Sequence, residues 1–274
     1  MAGVSSGSLT AALADLEVKL PFASLQLAKE LFGILGTVDS SAGLRRALTD
    51  PSRSGEDKSA LVKQLFGGNV SAEAVDIASG LAGSRWASAR DIGDALETLA
   101  ASVVIAVAEN KSAAAASGIS GLEGLENDLF SFNQAVDSNH EVQRAVSEPQ
   151  ASAAAKVALA EKLVPSASEE AKVLIGQAVS QPRGLKATKL VRRFAELAAK
   201  RQQRWIATVS VTRPLAETQT SRLQEGLNAL YGRELKINMN VDPALIGGIR
   251  IQVGDEVVDA SVLARLGQLH RQLA

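Results

Sequence analysis

A stretch of 75 residues occurs twice in this 274-residue chain, and that repeat limits what the chain can fold into. Residues 27–101 slide onto 125–199 with a constant shift of 98 and no gap, and 21 of the 75 pairs are identical. Leu31-Phe32 falls on Leu129-Phe130, Val38-Asp39-Ser40 on Val136-Asp137-Ser138, and Arg46-Ala47 on Arg144-Ala145. Pro51 falls on Pro149, Lys58 on Lys156, Leu61 and Leu65 on Leu159 and Leu163, Ile77 on Ile175, and Arg85 on Arg183. Leu99-Ala100-Ala101 falls on Leu197-Ala198-Ala199. Alanine-rich helices resemble one another by composition, but composition does not place a matched Pro, Asp, Arg or Phe. The chain therefore builds one structural unit twice.

That unit is helical. Ala, Leu, Glu, Lys and Arg dominate residues 1–204, and these are strong helix formers. Apolar residues recur three and four apart, as in Leu27/Leu31/Ile34/Leu35, Leu61/Leu65 and Ile92/Leu96/Leu99/Val103. Breakers separate the runs: Gly36, Pro51, Gly67-Gly68, Gly83, Gly118, Pro149, Pro165 and Pro182-Arg183-Gly184. Short loops between helices of this length specify antiparallel bundles. No Gly or Pro interrupts Ala100–Ala116, so the last helix of copy one is expected to run into the first of copy two.

From about Arg204 the period changes to two. Ile206–Val211 alternates as a strand, Pro214 ends it, and Leu223/Leu227/Leu230 mark a helix closing at Gly232. Residues 236–241 alternate as a half-buried strand with Ile237, Met239 and Val241 inward. Asp242-Pro243 turns the chain, and Ile249/Ile251/Val253 form a third strand. Gly254-Asp255 makes a hairpin to Val257-Val258. A last helix is expected from Asp259 or Ser261, with Leu263/Leu266/Leu269/Leu273 as its stripe. The expected fold is mainly α: two tandem antiparallel helical bundles, 1–104 and 105–204, followed by a small α+β domain, 205–274.

Chemistry is scarce. There is no Cys, which excludes disulfides, thiolate metal sites and thiol nucleophiles. His140 and His270 are the only histidines, and nine aromatics leave little for base stacking. Gly3-Val4-Ser5-Ser6-Gly7 has the letters of a nucleophile elbow, but it lacks the preceding strand and a His partner. A helix-capping role for Ser8 or another of these serines fits better. Gly247-Gly248 lacks the Lys and hydroxyl of a phosphate loop and reads as a backbone bend. Asp255, Glu256 and Asp259 read as solvated turn carboxylates, and Trp86 and Trp205 as packing residues. Asn69-Val70-Ser71 and Asn110-Lys111-Ser112 are glycosylation sequons by letter only. No signal peptide or membrane-length apolar run is seen, so a soluble, cytoplasmic chain is expected. No catalytic residue, cofactor site or metal site is expected.

Charge is uneven. Residues 1–110 carry nine basic and thirteen acidic side chains, and 111–182 carry five and nine. Residues 183–204 carry eight basic and one acidic, a net of +7, through Arg183, Lys186, Lys189, Arg192, Arg193, Lys200, Arg201 and Arg204. This segment is either a solvated face or an electrostatic dock, for an acidic partner helix or a membrane-proximal surface. A helical scaffold or nucleic-acid-binding module using 183–204 is the alternative reading, although no stacking aromatics or reader motif accompany the run.

The most specific stretch is LKINMNVDPALIGGIRIQVG, residues 235–254. It resembles the C-terminal signature of the δ subunit of F-type ATP synthases, the counterpart of the mitochondrial oligomycin-sensitivity-conferring protein. The match covers Leu235, Ile237, Val241, Asp242, Leu245, Gly247-Gly248, Ile249, Ile251, Gln252 and Gly254, and continues through Gly254–Val262. Leu125…Leu129, Pro149, Lys156, Leu163 and Arg183…Leu190…Phe194 are similar to that family's six-helix bundle. Residues from about 105 to 274 resemble a whole δ subunit, while 1–104 is an added bundle, as in the elongated forms of high-GC Gram-positive bacteria. Ala216 departs from the pattern at a helix start where Ser or Thr would cap better. The resemblance implies a non-catalytic stator subunit, one copy per complex, on the cytoplasmic face of the cell membrane. Its bundles would bind N-terminal segments of α subunits and its C-terminal domain the C-terminal helix of the b subunit. It implies no nucleic acid, no cofactor, and membrane contact only through the complex.

Overall fold

The computed structural model describes residues 3–113, 118–203, 206–232, 235–242, 245, 247–254 and 256–259. The helices are α1 (Val4–Glu17), α2 (Leu25–Ser40), α3 (Ala42–Thr49), α4 (Gly55–Phe66), α5 (Ala72–Gly83) and α6 (Asp91–Ala113). Then follow α7 (Gly118–Asp137), α8 (His140–Ser147), α9 (Ala153–Leu163), α10 (Glu169–Ser180) and α11 (Ala187–Gln202). A short 3-10 turn, Leu20–Phe22, joins α1 to α2. The boundaries are written in small polar residues. Ser24, Ser41, Ser54, Ser71, Asn139, Ser152 and Ser168 each precede a helix, and their side-chain oxygens accept a first-turn amide. Each such cap contributes roughly 1 kcal/mol.

The repeat is visible in the core. Leu27, Leu31, Ile34 and Val38 of α2 are buried, and so are their counterparts Leu125, Leu129, Phe132 and Val136 of α7. Ile92, Leu96 and Ala100 of α6 match buried Leu190, Phe194 and Ala198 of α11. Ser71 and Ser168 make the same contacts, each binding one carboxylate oxygen through its amide and hydroxyl: Glu30 in copy one, Asp128 in copy two. Glu30 and Asp128 are 98 apart, yet Ser71 and Ser168 are 97 apart. The ungapped shift therefore slips by one residue here, because α9 is one residue shorter than α4. The α6/α11 core positions return to 98.

The long helix α6 serves both copies. It packs against α1, α2 and α5 and also against α10. Near its C-terminal end Lys111 pairs with the buried Glu170 of α10 at 2.5 Å, and Asn110 Nδ2 donates to Leu20 O at 2.9 Å. The helix continues past copy one as far as Ala113; residues 114–117 lie outside the described residues.

Two expectations need correction, and one identity of the repeat is not kept in burial. Leu65 is exposed, and α4 instead buries Val62 and Phe66, one position further round the helix. Phe32 is buried while its match Phe130 is exposed. The N-terminal serines are not caps. Ser5 is fully buried, donates to Asp91 Oδ2 at 2.6 Å and accepts from Ala87 N at 2.8 Å, while Ser8 donates to Arg85 O. They tie α1 to the connection between α5 and α6.

The chain divides into two compact units, Met1–Ala116 with Ser120–Ala198, and Ser117–Ile119 with Ala199–Ala274. Both repeat copies thus fall in one unit. The second unit holds β1 (Ile206–Val211), α12 (Glu217–Tyr231), β2 (Lys236–Val241), β3 (Ile249–Val253) and β4 (Glu256–Asp259), with strand order β2-β1-β3-β4. β1 and β2 are parallel and joined by α12; the other two pairings are antiparallel. Ala207, Val209, Val211, Leu227, Leu235 and Val253 form its core. Met239 and Val241 are exposed rather than inward, because β2 is an edge strand and the core gathers on β1 and β3. Gly247 and Gly248 both have positive φ, which fits the backbone bend. Asp259 is the last residue of β4; the expected final helix lies outside the described residues, as do Trp205, Asp255 and His270.

Gly232 ends α12 in the left-handed conformation, as its position in the sequence predicts. At the other end Ala216 N donates to Gln219 Oε1 at 3.0 Å, which is half a capping box, and alanine cannot supply the other half. Ala216→Ser should raise the stability of the second unit by roughly 0.5–1 kcal/mol in urea unfolding followed by strand-sensitive circular dichroism. No gain would show that the Gln219 contact already satisfies this helix start.

Candidate interaction site

The basic segment is not a uniform face. Pro182-Arg183-Gly184-Leu185 is a tight turn closed by Leu185 N donating to Pro182 O at 2.9 Å. Arg183 has φ 50°, and among the described residues it is the one non-glycine residue with positive φ. A left-handed L-residue costs roughly 1 kcal/mol, so something must hold it there.

Its own side chain does so. The Arg183 side chain is 8% exposed and reaches from copy two into copy one. Its Nε donates to Asp39 Oδ2 of α2 at 2.5 Å, and its Nη1 donates to Asp94 Oδ1 of α6 at 2.8 Å. Glu97 Oε1, also on α6, lies 3.6 Å away, an ion pair without a hydrogen bond. Arg90 Nη2 donates to the Arg183 carbonyl at 2.8 Å, fixing the strained backbone from the other side. Arg45 Nη1 donates to the Asp39 carbonyl.

Two glycines make the room. A Cβ on Gly93 would stand 2.4 Å from Arg183 Nη2, and one on Gly36 would stand 2.9 Å from Gln181 Nε2. In copy two these positions are Val191 and Gln134. Sequence reasoning missed Asp39, Asp94, Glu97, Gly36 and Gly93 as a group. Four of these five positions differ in size or charge between the copies: Gly36/Gln134, Gly93/Val191, Asp94/Arg192 and Glu97/Ala195. So do others such as Lys63/Glu161 and Trp86/Gly184, and the repeat alone therefore does not single them out.

Burial pushes the Glu97 carboxyl above its ordinary range, with Arg183 and then Arg193 pulling back. Burial also opposes the charge on Arg183, but Glu97 and Asp39 outweigh it and hold that guanidinium above its ordinary value. The remaining basic residues divide. Arg192 Nη2 donates to Asp137 Oδ2 at 2.9 Å, and Arg193 lies 3.6 Å from Glu97 Oε2. Lys186, Lys189, Arg192 and Arg193 line a cleft of about 790 Å³ between the end of α7, α8 and the start of α11. Lys200 and Arg201 are engaged in interactions of their own, and Arg204 lies outside the described residues.

Ser5 lies within α1 against Asp91, and His140 is an exposed first residue of α8. Trp86 is buried with its Nε1 donating to Leu81 O at 2.8 Å. Among the described residues no group of three or more His, Asp or Glu side chains could hold a metal ion. No helix among them is long and apolar enough to cross a membrane.

Residues 111–273 match the family model of the ATP synthase delta (OSCP) subunit, which is copy two and the α+β unit together. The chain belongs to this family. "ATP synthase subunit delta" of Arthrobacter sp. (strain FB24) is 89% identical over 274 residues, covering all of both chains. The protein of that name from Renibacterium salmoninarum is 65% identical, again over all of both chains. That from Streptomyces coelicolor is 37% identical over 278 residues, covering 100% of this chain and 98% of its own. Copy one, outside the family-model match, is therefore shared along the full length of these relatives.

Two measurements test the ionic joint. Arg183→Ala strands buried carboxylates and should cost roughly 3 kcal/mol. Arg183→Gly should cost about 1 kcal/mol less, because glycine accepts φ 50° without strain. Equal losses would mean that the turn is unstrained. Separately, the raised Glu97 pKa makes its contribution full below the ordinary carboxylate range and lost as pH rises through the raised value. Glu97→Gln should therefore gain stability relative to the parent as pH rises above the ordinary carboxylate range. Parallel pH curves for the two proteins would contradict this.

Proposed function

We propose that this delta-family chain is the non-catalytic connector at the head end of the peripheral stalk of an F-type ATP synthase. It joins the catalytic head to the b subunit so that rotor torque is resisted while ATP forms elsewhere. The bundles take N-terminal segments of α subunits, and the α+β domain takes the C-terminal helix of b. One copy serves each complex, peripheral to the membrane on its cytoplasmic face and without contact to nucleic acid. The observation that carries this reading is the family match over residues 111–273 together with full-length relatives named as delta subunits.

The structure supports the mechanical part. A connector under torque needs stiffness between its binding surfaces, and the Arg183 cluster fastens one bundle copy to the other through buried, charge-assisted bonds. Surfaces for partner helices exist as well. A groove of about 180 Å³ between α1 and α5 is lined by Ala11, Ala12, Ile77, Gly80 and Leu81 together with the charged Asp15, Lys19 and Asp76, a mixed surface that suits an amphipathic helix. The separate α+β core gives the second binding function its own scaffold.

The division of labour is tested in the full chain. Val209 is fully buried at the centre of β1, so Val209→Asp should disrupt the α+β core alone. A peptide of the α N-terminus should still bind with unchanged affinity, while a peptide of the b C-terminus should lose at least about tenfold. Loss of both, with helical content retained, would refute the assignment of partners to domains.

A further inference from the structure

We propose that the cleft between α7, α8 and the first turns of α11 is a docking site for an acidic segment of a partner protein. The inference goes beyond the stator reading, which leaves this cleft without an occupant, and it does not depend on it.

The repeat itself supplies the argument. Shifted by 98, the cleft of copy two falls on the surface of copy one around Asp39, Arg45 and Asp94. Part of the framework is the same in both: Gln143 Nε2 donates to the Asp137 carbonyl as Arg45 donates to the Asp39 carbonyl. In copy one part of that surface is covered, because Gln181 and Arg183 of the Pro182 turn lie on it and Arg183 pairs with Asp39, and a cavity of about 440 Å³ remains beside them. The surface is thus of a kind that receives a loop of protein and pairs with its charge. In copy two none of the described residues fills the equivalent place, and a cavity of about 790 Å³ stands there.

The charge of the two surfaces is opposite. Copy one offers Asp39, Asp94 and Glu97 and receives an arginine. In copy two Asp94 is replaced by Arg192 and Glu97 by Ala195, and Lys186 and Lys189 stand where copy one has Ser88 and Asp91. Asp137 and Glu196 are the carboxylates of this lining, and Arg192 pairs with Asp137, so four cations face two carboxylates there. Lys186 and Lys189 are exposed at the mouth, with no carboxylate of the described residues within ion-pair distance. The first turn of α11 lies along the same wall and contains no acidic residue, so its positive end adds to the field. Val136, Val146 and Leu185 give the cleft an apolar floor. An apolar floor with cations at the rim fits a peptide bearing carboxylates beside aliphatic side chains.

The test uses the isolated full chain and a fluorescein-labelled amphipathic peptide built from Glu and Leu, read by fluorescence anisotropy at low salt. Saturable binding is expected, at least about tenfold weaker for Lys186→Glu/Lys189→Glu. Lys29→Glu/Lys63→Glu, which changes net charge equally at exposed sites away from the cleft, should leave it unchanged. The same peptide with Gln for Glu should not bind, and oligothymidylate should not displace the acidic peptide. The proposal is overturned by any of four results: no saturable binding, equal weakening by both double variants, equal binding of the Gln peptide, or displacement by oligothymidylate.

Discussion

The helical unit turns on one guanidinium. Arg183 sits on a turn whose backbone its side chain would not choose, in surroundings nearly closed to water, and three carboxylates from the other repeat copy surround it. A buried charge of that kind is costly unless paired, and the pairing here has hydrogen-bond geometry to two of the three. Such a cluster is a poor source of net stability and a strict one of geometry. It works with α2, α6 and the turn after α10 in register and with Gly36 and Gly93 kept small. That is why two copies of one bundle make a single compact unit rather than two beads.

A duplicated unit can evolve a joint only by breaking its own symmetry, and the broken positions mark where it did so. Most core pairs are kept: Leu27 with Leu125, Leu31 with Leu129, Ile92 with Leu190, Leu96 with Phe194. One set of differences falls on a single surface, where copy one has Asp94, Glu97 and glycine gaps and copy two has Arg192, Ala195, Val191 and Gln134. Copy one's surface is partly covered by Gln181 and Arg183 of copy two, while none of the described residues takes that place on copy two's surface. The helix α6 reflects the same economy, since one helix closes the first bundle and packs on α10 of the second.

Much of the fold was legible in the sequence. Period 3.6 with Gly and Pro breakers places most of the helices, period 2 places the strands after Ile206, and the repeat matches positions such as Val38 and Val136 that are both buried. What the sequence did not show was long-range pairing. Arg183 reads as one of eight cations in a run, and nothing local says that it belongs to Asp39, 144 residues away. Leu65 reads as part of the apolar stripe with Leu61 because spacing alone does not fix helix rotation to within one position. The one-residue slip between Ser71 and Ser168 is invisible in an ungapped match, because Ile77 still falls on Ile175. Met239 and Val241 alternate correctly but lie on an edge strand, and strand order is a property of the sheet rather than of the segment.

The central claim is that the two bundle copies form one mechanical body. Native-state hydrogen exchange tests it most directly, by comparing the slowest amides of α2 and α6 with those of α10 and α11 across sub-denaturing urea. One body predicts that both sets exchange through a common opening with the same urea dependence. Two sets with separate opening free energies, unaffected by Arg183→Ala, would show two independent bundles and contradict the account.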